Sequence, residues 1–402
     1  MPAYRIGALV ISPDHPAYAA HLERAYAEKL RPLCQCRPDV ALPFYIARRS
    51  GALFVARMPG TGTLHDPECD HFEAPGDLSG LGSVDGRAVK ENEDGTATML
   101  SLGFPLKRGP ARAAPDALTS DKPSLKSTGQ KLSMRGLLHV LWDRAQLTRW
   151  HPRMAGRRDW WIVRRELLKA ADGCVAKGDN LARRMFVPEP WRERDKDAIA
   201  ARQHETLAQV RLSHDTMMIV VGEVKTITPS PRGERIQLRH LGTFGLSMDP
   251  EMTKRFYKRF ENELALWQAD ADHSHLIIAA NFSMNAAGLP EICDVALMPV
   301  SAEWLPYESM VERQLLRQAV EDQRHFVKAL RVDLPRERPI ASLLLTDSVP
   351  PCAMHVHCAT GDDEHDAARA LVMTVPGVTH AEWTPGSPLP GRSVAAGPLQ
   401  SA

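Results

Sequence analysis

A chain of 402 residues, 44% apolar and 25% charged, has the composition of an ordinary soluble globular protein of about two or three domains. Its net charge of +1 names no partner, and no apolar run reaches membrane-spanning length. The seven cysteines, at positions 34, 36, 69, 174, 293, 352 and 358, are too irregular for a disulfide framework. With an N-terminal apolar stretch too short for a signal peptide, a cytoplasmic location without membrane attachment is expected.

Residues 1–105 read as a β-rich unit. A helix-like stretch from Tyr18 to Lys29 precedes Cys34-Gln35-Cys36. Two strand-like runs follow, Pro43 to Arg49 and Ala52 to Met58, joined at Ser50-Gly51 as a tight hairpin. His65-Asp66-Pro67-Glu68-Cys69 comes next. Residues two apart in an extended segment share a side, so Cys34 and Cys36 can face one ion. On a helical turn His65 and Cys69 stack four apart and can face it too. Three thiolates and an imidazole are the donors of a closed structural Zn²⁺ site, with Asp70 and His71 as spare ligands. The alternative is ordinary buried thiols and a loop histidine. Met58 to Gly62 and Gly80 to Gly82 are glycine-bearing turns; neither is followed by the Lys-Ser/Thr of a phosphate loop, so both read as structural.

Residues 106–130 read as a basic linker and 131–205 as a basic helical region. In it Ser133 is a plausible N-cap, with Leu137, Leu138, Leu141, Trp142 and Ala145 on one face; Trp160, Val163, Leu167 and Ala171 mark a second helix. The pair suits a helical hairpin or a helix-turn-helix. Residues 101–184 hold 18 Lys and Arg against 7 acids, a local charge of +11, which leaves about −10 for the rest. Arg144, Arg149, Arg153, Arg157, Arg158, Arg164, Arg165 and Lys169 interleave with Trp142, Trp150, Trp160 and Trp161, half of the eight tryptophans. Guanidinium groups neutralise phosphates and indole faces stack on bases, so nucleic acid is the expected partner. The competing readings are core tryptophans with a solvated arginine face, and an acidic protein partner.

A β-rich α+β region spans 206–300. Strands from Met217 to Ile227 and Arg235 to Leu241 flank Pro229 to Gly233, and a helix from Pro250 to Trp267 precedes a strand from Leu276 to Phe282. Glu223-Val224-Lys225 has the acid-x-lysine form of metal-dependent nucleases, with Asp215 as a companion acid; an exposed cross-strand pair explains it equally. The α/β region 301–384 reads helix (Glu308 to Lys328), strand (Ile340 to Leu345), strand (Cys352 to Cys358), helix (Asp363 to Met373). That layout is similar to a restriction-endonuclease-like core with acids Glu308, Glu312 and Asp347, but His355-Val356-His357 stands where the acid-x-lysine pair belongs. A degenerate core follows. Cys352, His355, His357 and Cys358 are a weaker second metal set, Cys174 has no base partner, and 385–402 reads as a disordered tail. The fold class is multi-domain α+β: a zinc-stabilised N-terminal β region, a basic helical middle and a C-terminal α/β unit.

With these motifs placed, the chain resembles a family of uncharacterised bacterial proteins, domain of unknown function 1173. The likeness is carried by RPLCQC from Arg31, RMPGTG from Arg57 with His65 and Cys69, LSGLG from Leu78 and MRGLLHVLW from Met134. It continues in MAGRRDWW from Met154, VGEVK from Val221 and WLPYES from Trp304. The resemblance implies a setting on conjugative plasmids and integrative elements, among other conjugation proteins. The expected function is a zinc-containing nucleic-acid-binding accessory protein; the alternatives are a metal-dependent nuclease and a protein-binding scaffold.

Overall fold

The computed structural model describes residues 3–392, apart from 38, 50, 93–96, 108–128, 213–215, 232, 243, 286–287, 336–337 and 357–371. The N-terminal unit has its own small core. Tyr4–Ile6 pairs with Leu9–Ile11 on one side and with Leu33–Cys34 on the other. The hairpin forms as expected, Phe44–Arg49 against Ala52–Arg57, with Gly51 left-handed at φ +83°. Helix Tyr18–Ala27 covers it, and the core gathers Tyr4, Ile6, Ile11, Leu22, Leu42 and Phe44 together with the Cys34 and Cys69 thiols.

The centre is built on one long strand, Met218–Ser230, whose apolar run is buried on both faces. Alternation sends Met218 and Val220 to one core and Ile219 and Val221 to another. This strand pairs with both Gly233–Leu238 and Ser274–Met284. Gly233–Leu238 continues through Gly245–Met248 to Pro290–Ser301, which pairs back onto Ser274–Met284, so the sheet closes on itself. Helix Met134–Arg144 lies against the Ile219/Val221 face and is buried nearly all round. Its N-cap is Ser133, as expected; the hydroxyl accepts from Gly136 N at 3.1 Å and donates to Asp333. Ser133→Ala is expected to cost about 1–2 kcal/mol, read as a lowered melting temperature, because it strips a cap and a partner of Asp333 together.

Helix Trp160–Asp172 packs on Met134–Arg144, but the connection is neither a hairpin loop nor a helix-turn-helix turn. It leaves to form the strand Arg149–Trp150, the edge of a five-stranded sheet completed by Phe326–Lys328, Leu343–Leu345, Cys352–Val356 and Thr379–Trp383. A four-stranded sheet likewise joins Val89–Glu91 and Thr98–Leu100 to Cys174–Ala176 and Asp179–Asn180. Both sheets cross the boundaries expected at 105 and 301.

Several element limits differ. The helix expected from Glu308 to Lys328 is Met310–Glu321; it stops because Gln323 turns left-handed (φ +55°), and Phe326–Lys328 becomes a strand. The helix expected from Pro250 to Trp267 is two, Pro250–Arg259 and Glu261–Ala269, broken at Phe260. Residues 385–392, expected in a disordered tail, are docked: Trp383 Nε1 donates to Ser387 O and Arg324 Nη1 to Pro390 O. Most of the basic linker, and most of the helix expected from Asp363 to Met373, lie outside the described residues. Among the described residues no helix is long and apolar enough to cross a membrane.

Candidate metal centre

Strand pairing sets Cys34 opposite Tyr4, and Cys34 N donates to Leu42 O at 2.9 Å, so the first thiol is held between the N-terminal strand and the segment that leads into the hairpin. Cys36 follows in a bend, half-buried. The second half-site is a turn where a helical turn was expected. A 3₁₀ segment, Gly62–Leu64, ends at an extended His65 (φ −70°, ψ 159°), and Cys69 N donates to Asp66 O at 2.8 Å. Pro67 lacks the N–H that a helix here would use, and Glu68 N is taken by the Asp66 carboxylate at 2.9 Å.

The four expected ligands come together. Their donor atoms all lie within 4.8 Å of one another, the one such group among the described residues. Cys34 Sγ is 3.8 Å from Cys69 Sγ, Cys36 Sγ is 3.4 Å from His65 Nδ1, and Cys69 Sγ is 3.8 Å from His65 Nδ1. A tetrahedron with metal–sulfur bonds of about 2.3 Å and a metal–nitrogen bond of about 2.0 Å separates sulfurs by about 3.8 Å and sulfur from nitrogen by about 3.5 Å. Those three separations lie close to the tetrahedral values, and the whole donor set, three thiols and an imidazole, is of the kind a four-coordinate ion takes.

Burial pushes His65 down to about 4, so its ring is neutral near pH 7 and Nδ1 has a lone pair to give. The hydrogen bond between Cys34 and Cys69 lowers the first thiol and raises the second, as expected of two sulfurs sharing a proton until a cation replaces it. Around the ligands, His71 N–H points at Cys69 Sγ at 3.5 Å. The His71 ring is not a ligand: Nε2 is bound to the Tyr4 hydroxyl at 2.6 Å. Asp70 is not part of the cluster either. The Phe44 ring packs against His65, His71 and Tyr4 beside the cluster, and Cys36 lies half-buried; four protein donors are the number that fills a tetrahedral ion's coordination.

Sequence reasoning missed what holds the metal loop. Arg149 Nη1 donates to Cys69 O at 3.0 Å and its Nη2 donates to Phe72 O. Arg158 in turn donates to Leu147 O and Glu303 O, and its guanidinium lies 5.5 Å over the buried Trp150 ring. Burial pulls Arg158 down to about 10 and lowers Arg149 as well. Of these residues expected on a nucleic-acid face, Trp150 is buried and the two arginines are half-buried, with their guanidinium groups taken up by backbone carbonyls. Arg164 is half-buried and donates to Val187 O at 3.1 Å. Arg153, Arg157 and Arg165 are exposed, as are Lys169 and Trp161; Arg165 stacks 4.9 Å from the Trp161 ring and pairs with Glu166.

Glu223 and Lys225 are not brought together. Glu223 continues the buried Ile219/Val221 face, where His275 Nδ1 at 2.8 Å and Arg239 Nε at 2.7 Å meet its carboxylate. A bulge between Val224 and Thr226 then breaks the alternation, and Lys225 points to solvent. Asp215 lies outside the described residues. Around the C-terminal sheet the three acids are each tied to a basic partner: Glu308 to Arg331, Glu312 on helix Met310–Glu321 to Lys328, and Asp347 to Arg324. Cys352 and His355, three apart on one strand, point to opposite faces; His355 meets His380 at 3.1 Å, and His357 and Cys358 lie outside the described residues.

No curated protein and no solved structure matches the chain. A family model described as a protein of unknown function, DUF1173, matches residues 4–386, a span that takes in all four cluster residues and nearly every described element, and the chain belongs to that family.

Proposed function

We propose that this is a zinc protein in which the ion is structural, and that the chain binds nucleic acid as an accessory protein, in keeping with a mobile-element setting. The observation that carries the zinc reading is the set Cys34, Cys36, His65 and Cys69, three of them buried and Cys36 half-buried, with donor atoms within 4.8 Å of one another. Three thiolates favour zinc over the harder divalent ions. Four protein ligands fill a tetrahedral ion's coordination, and Cys34 and Cys69 belong to the small N-terminal core, which supports a structural role.

The nucleic-acid reading now rests on fewer residues than the sequence offered. Arg153, Arg157, Arg165 and Lys169 are exposed along one stretch, with Trp161 44% exposed among them as a stacking surface. The basic residues of 106–130 adjoin this stretch in sequence. Binding of labelled single-stranded or duplex DNA, followed by fluorescence anisotropy over a salt series, should weaken steeply as salt rises. Replacing Arg153, Arg157 and Arg165 by alanine together should shallow the log–log slope by about 2–3, at about 0.7–0.9 per lost phosphate contact. An unchanged slope rejects this face. No binding at low salt favours the protein-docking alternative, in which the same cations meet an acidic partner.

A further inference from the structure

We propose that the nucleic acid this chain takes is a single strand, and that it lies across the open outer face of the closed central sheet, on Lys225, Thr226, Thr228, Arg235 and Gln237. This rests on the nucleic-acid reading above and extends it to a further surface. The sheet closes in the order Met218–Ser230, Gly233–Leu238, Gly245–Met248, Pro290–Ser301, Ser274–Met284 and back to the first. In chain order these strands run one, two, three, five, four. Helices Pro250–Arg259 and Glu261–Ala269 stand between the third and fourth, and the third is parallel to the fifth. Partly open Greek-key barrels of this topology receive oligonucleotides and oligosaccharides on the face around their second and third strands. Topology alone names no ligand, so the chemistry of that face decides.

Alternation turns Ile236, Leu238, Leu246 and Met248 into the barrel core. Arg235, Gln237 and Ser247 therefore face outward, and the ladder sets Thr228 opposite Arg235 and Thr226 opposite Gln237 on the same side. The bulge after Val224 releases Lys225 to solvent beside them. Helix Met134–Arg144 covers only the Ile219/Val221 half of the first strand, and no residue of the second or third strand joins that core. Lys225 and Thr226 are accordingly exposed, and Lys225 has no ion pair among the described residues. Gly245 keeps the face low, since a Cβ there would run into the Arg235 side chain.

The exposed Arg239 follows the second strand, and the ring of His240 next to it stacks 6.2 Å from Trp160. The face therefore runs on to the corner where Trp161 is exposed. Of the neighbouring acids, Glu223 is buried and paired with Arg239, and Glu234 accepts from the Tyr257 hydroxyl at 3.0 Å; Glu291, opposite Ser247, is the acidic limit of the face. Lys225, Arg235 and Arg239 select phosphate over a neutral sugar chain. Thr226 Oγ1 donates to Gln237 Oε1 at 3.3 Å, which leaves the Gln237 amide N–H groups to give to base edges. A duplex keeps those edges paired, whereas a single strand presents them and can stack a base on Trp161.

The full zinc-loaded chain is titrated with labelled oligothymidine of about 12 nucleotides, within the site sizes of such barrels, and with a duplex of equal length. Fluorescence anisotropy should show the single strand bound more tightly than the duplex. Lys225→Ala should weaken it and shallow its log–log salt slope by about 0.7, one phosphate contact on a single strand, while Thr226→Lys should tighten it and steepen the slope by about 0.7. A gain of that kind does not come from misfolding. Duplex bound as tightly as oligothymidine, or an unchanged slope in Thr226→Lys, overturns the proposal. If oligothymidine binds and only the Arg153, Arg157 and Arg165 replacement weakens it, the nucleic-acid reading stands and this face is rejected. If no oligonucleotide binds at low salt, both fall, and maltoheptaose bound in place of oligothymidine likewise overturns the proposal.

Discussion

Stripping the metal, by chelator or by Cys69→Ser, is expected to unfold the N-terminal unit while the central sheets stay folded. The apolar residues around Tyr4, Leu22 and Phe44 form a core far smaller than the two central ones, and Cys34 and Cys69 are themselves part of it. So small a core supports itself poorly without a cross-link. Structural zinc in small domains contributes about 10–16 kcal/mol of apparent binding energy, and that energy is folding energy where no site exists in the unfolded chain. Hydrogen exchange should therefore show strands Phe44–Arg49 and Ala52–Arg57 losing protection on chelation, with Met218–Ser230 protected throughout. Native mass spectrometry of the untreated chain should find one zinc. Cys293→Ser, a half-buried thiol on the closed sheet, should keep it. A chain purified without chelator that carries no metal, yet protects the hairpin, sinks the assignment.

The Cys/His cluster was legible because its signals are local. Two thiols two apart, a hairpin of matched strands with Gly51 at its turn, and a histidine four before a cysteine each constrain a few residues, and pairing of Tyr4 with Cys34 brings them together. The Ser133 cap and the strand expected from Met217 were legible for the same reason, a hydroxyl before a helix and the β-branched Ile219, Val220 and Val221, although the burial of that strand on both faces was not. What failed needed information from far along the chain. Lys225 left the face of Glu223 because of one extra residue opposite Leu238 and Gln237, and a bulge has no mark in a strand's own sequence. The strand Arg149–Trp150 is too short to declare itself and exists only because Phe326–Lys328 supplies its partner. Charge counting cannot separate Arg149 and Arg158, which satisfy backbone carbonyls, from the exposed Arg153 and Arg157 between them until those carbonyls are known.

That reassignment makes Arg149 the second position where a large effect is expected, and on stability, not on binding. Its backbone is part of the C-terminal sheet, opposite Val327, while its side chain reaches across to the metal loop at Cys69 and Phe72. Arg149→Ala leaves Phe72 O without its donor, opens a void beside it, and removes a cation from the neighbourhood of three thiolates. Together these should cost about 2–4 kcal/mol, concentrated in the N-terminal unit, with weakened zinc retention against a competing chelator. Arg149→Lys should recover only part of the loss, since one ammonium does not reproduce a fork that donates to two carbonyls. The comparison with Arg157→Ala is the discriminating one. Arg157 is exposed, and its removal should leave the melting temperature and zinc retention nearly unchanged while shallowing the salt dependence of nucleic-acid binding. The opposite pattern, with Arg149→Ala stable and binding-deficient, would return this guanidinium to the nucleic-acid face and undo the interior role assigned to it.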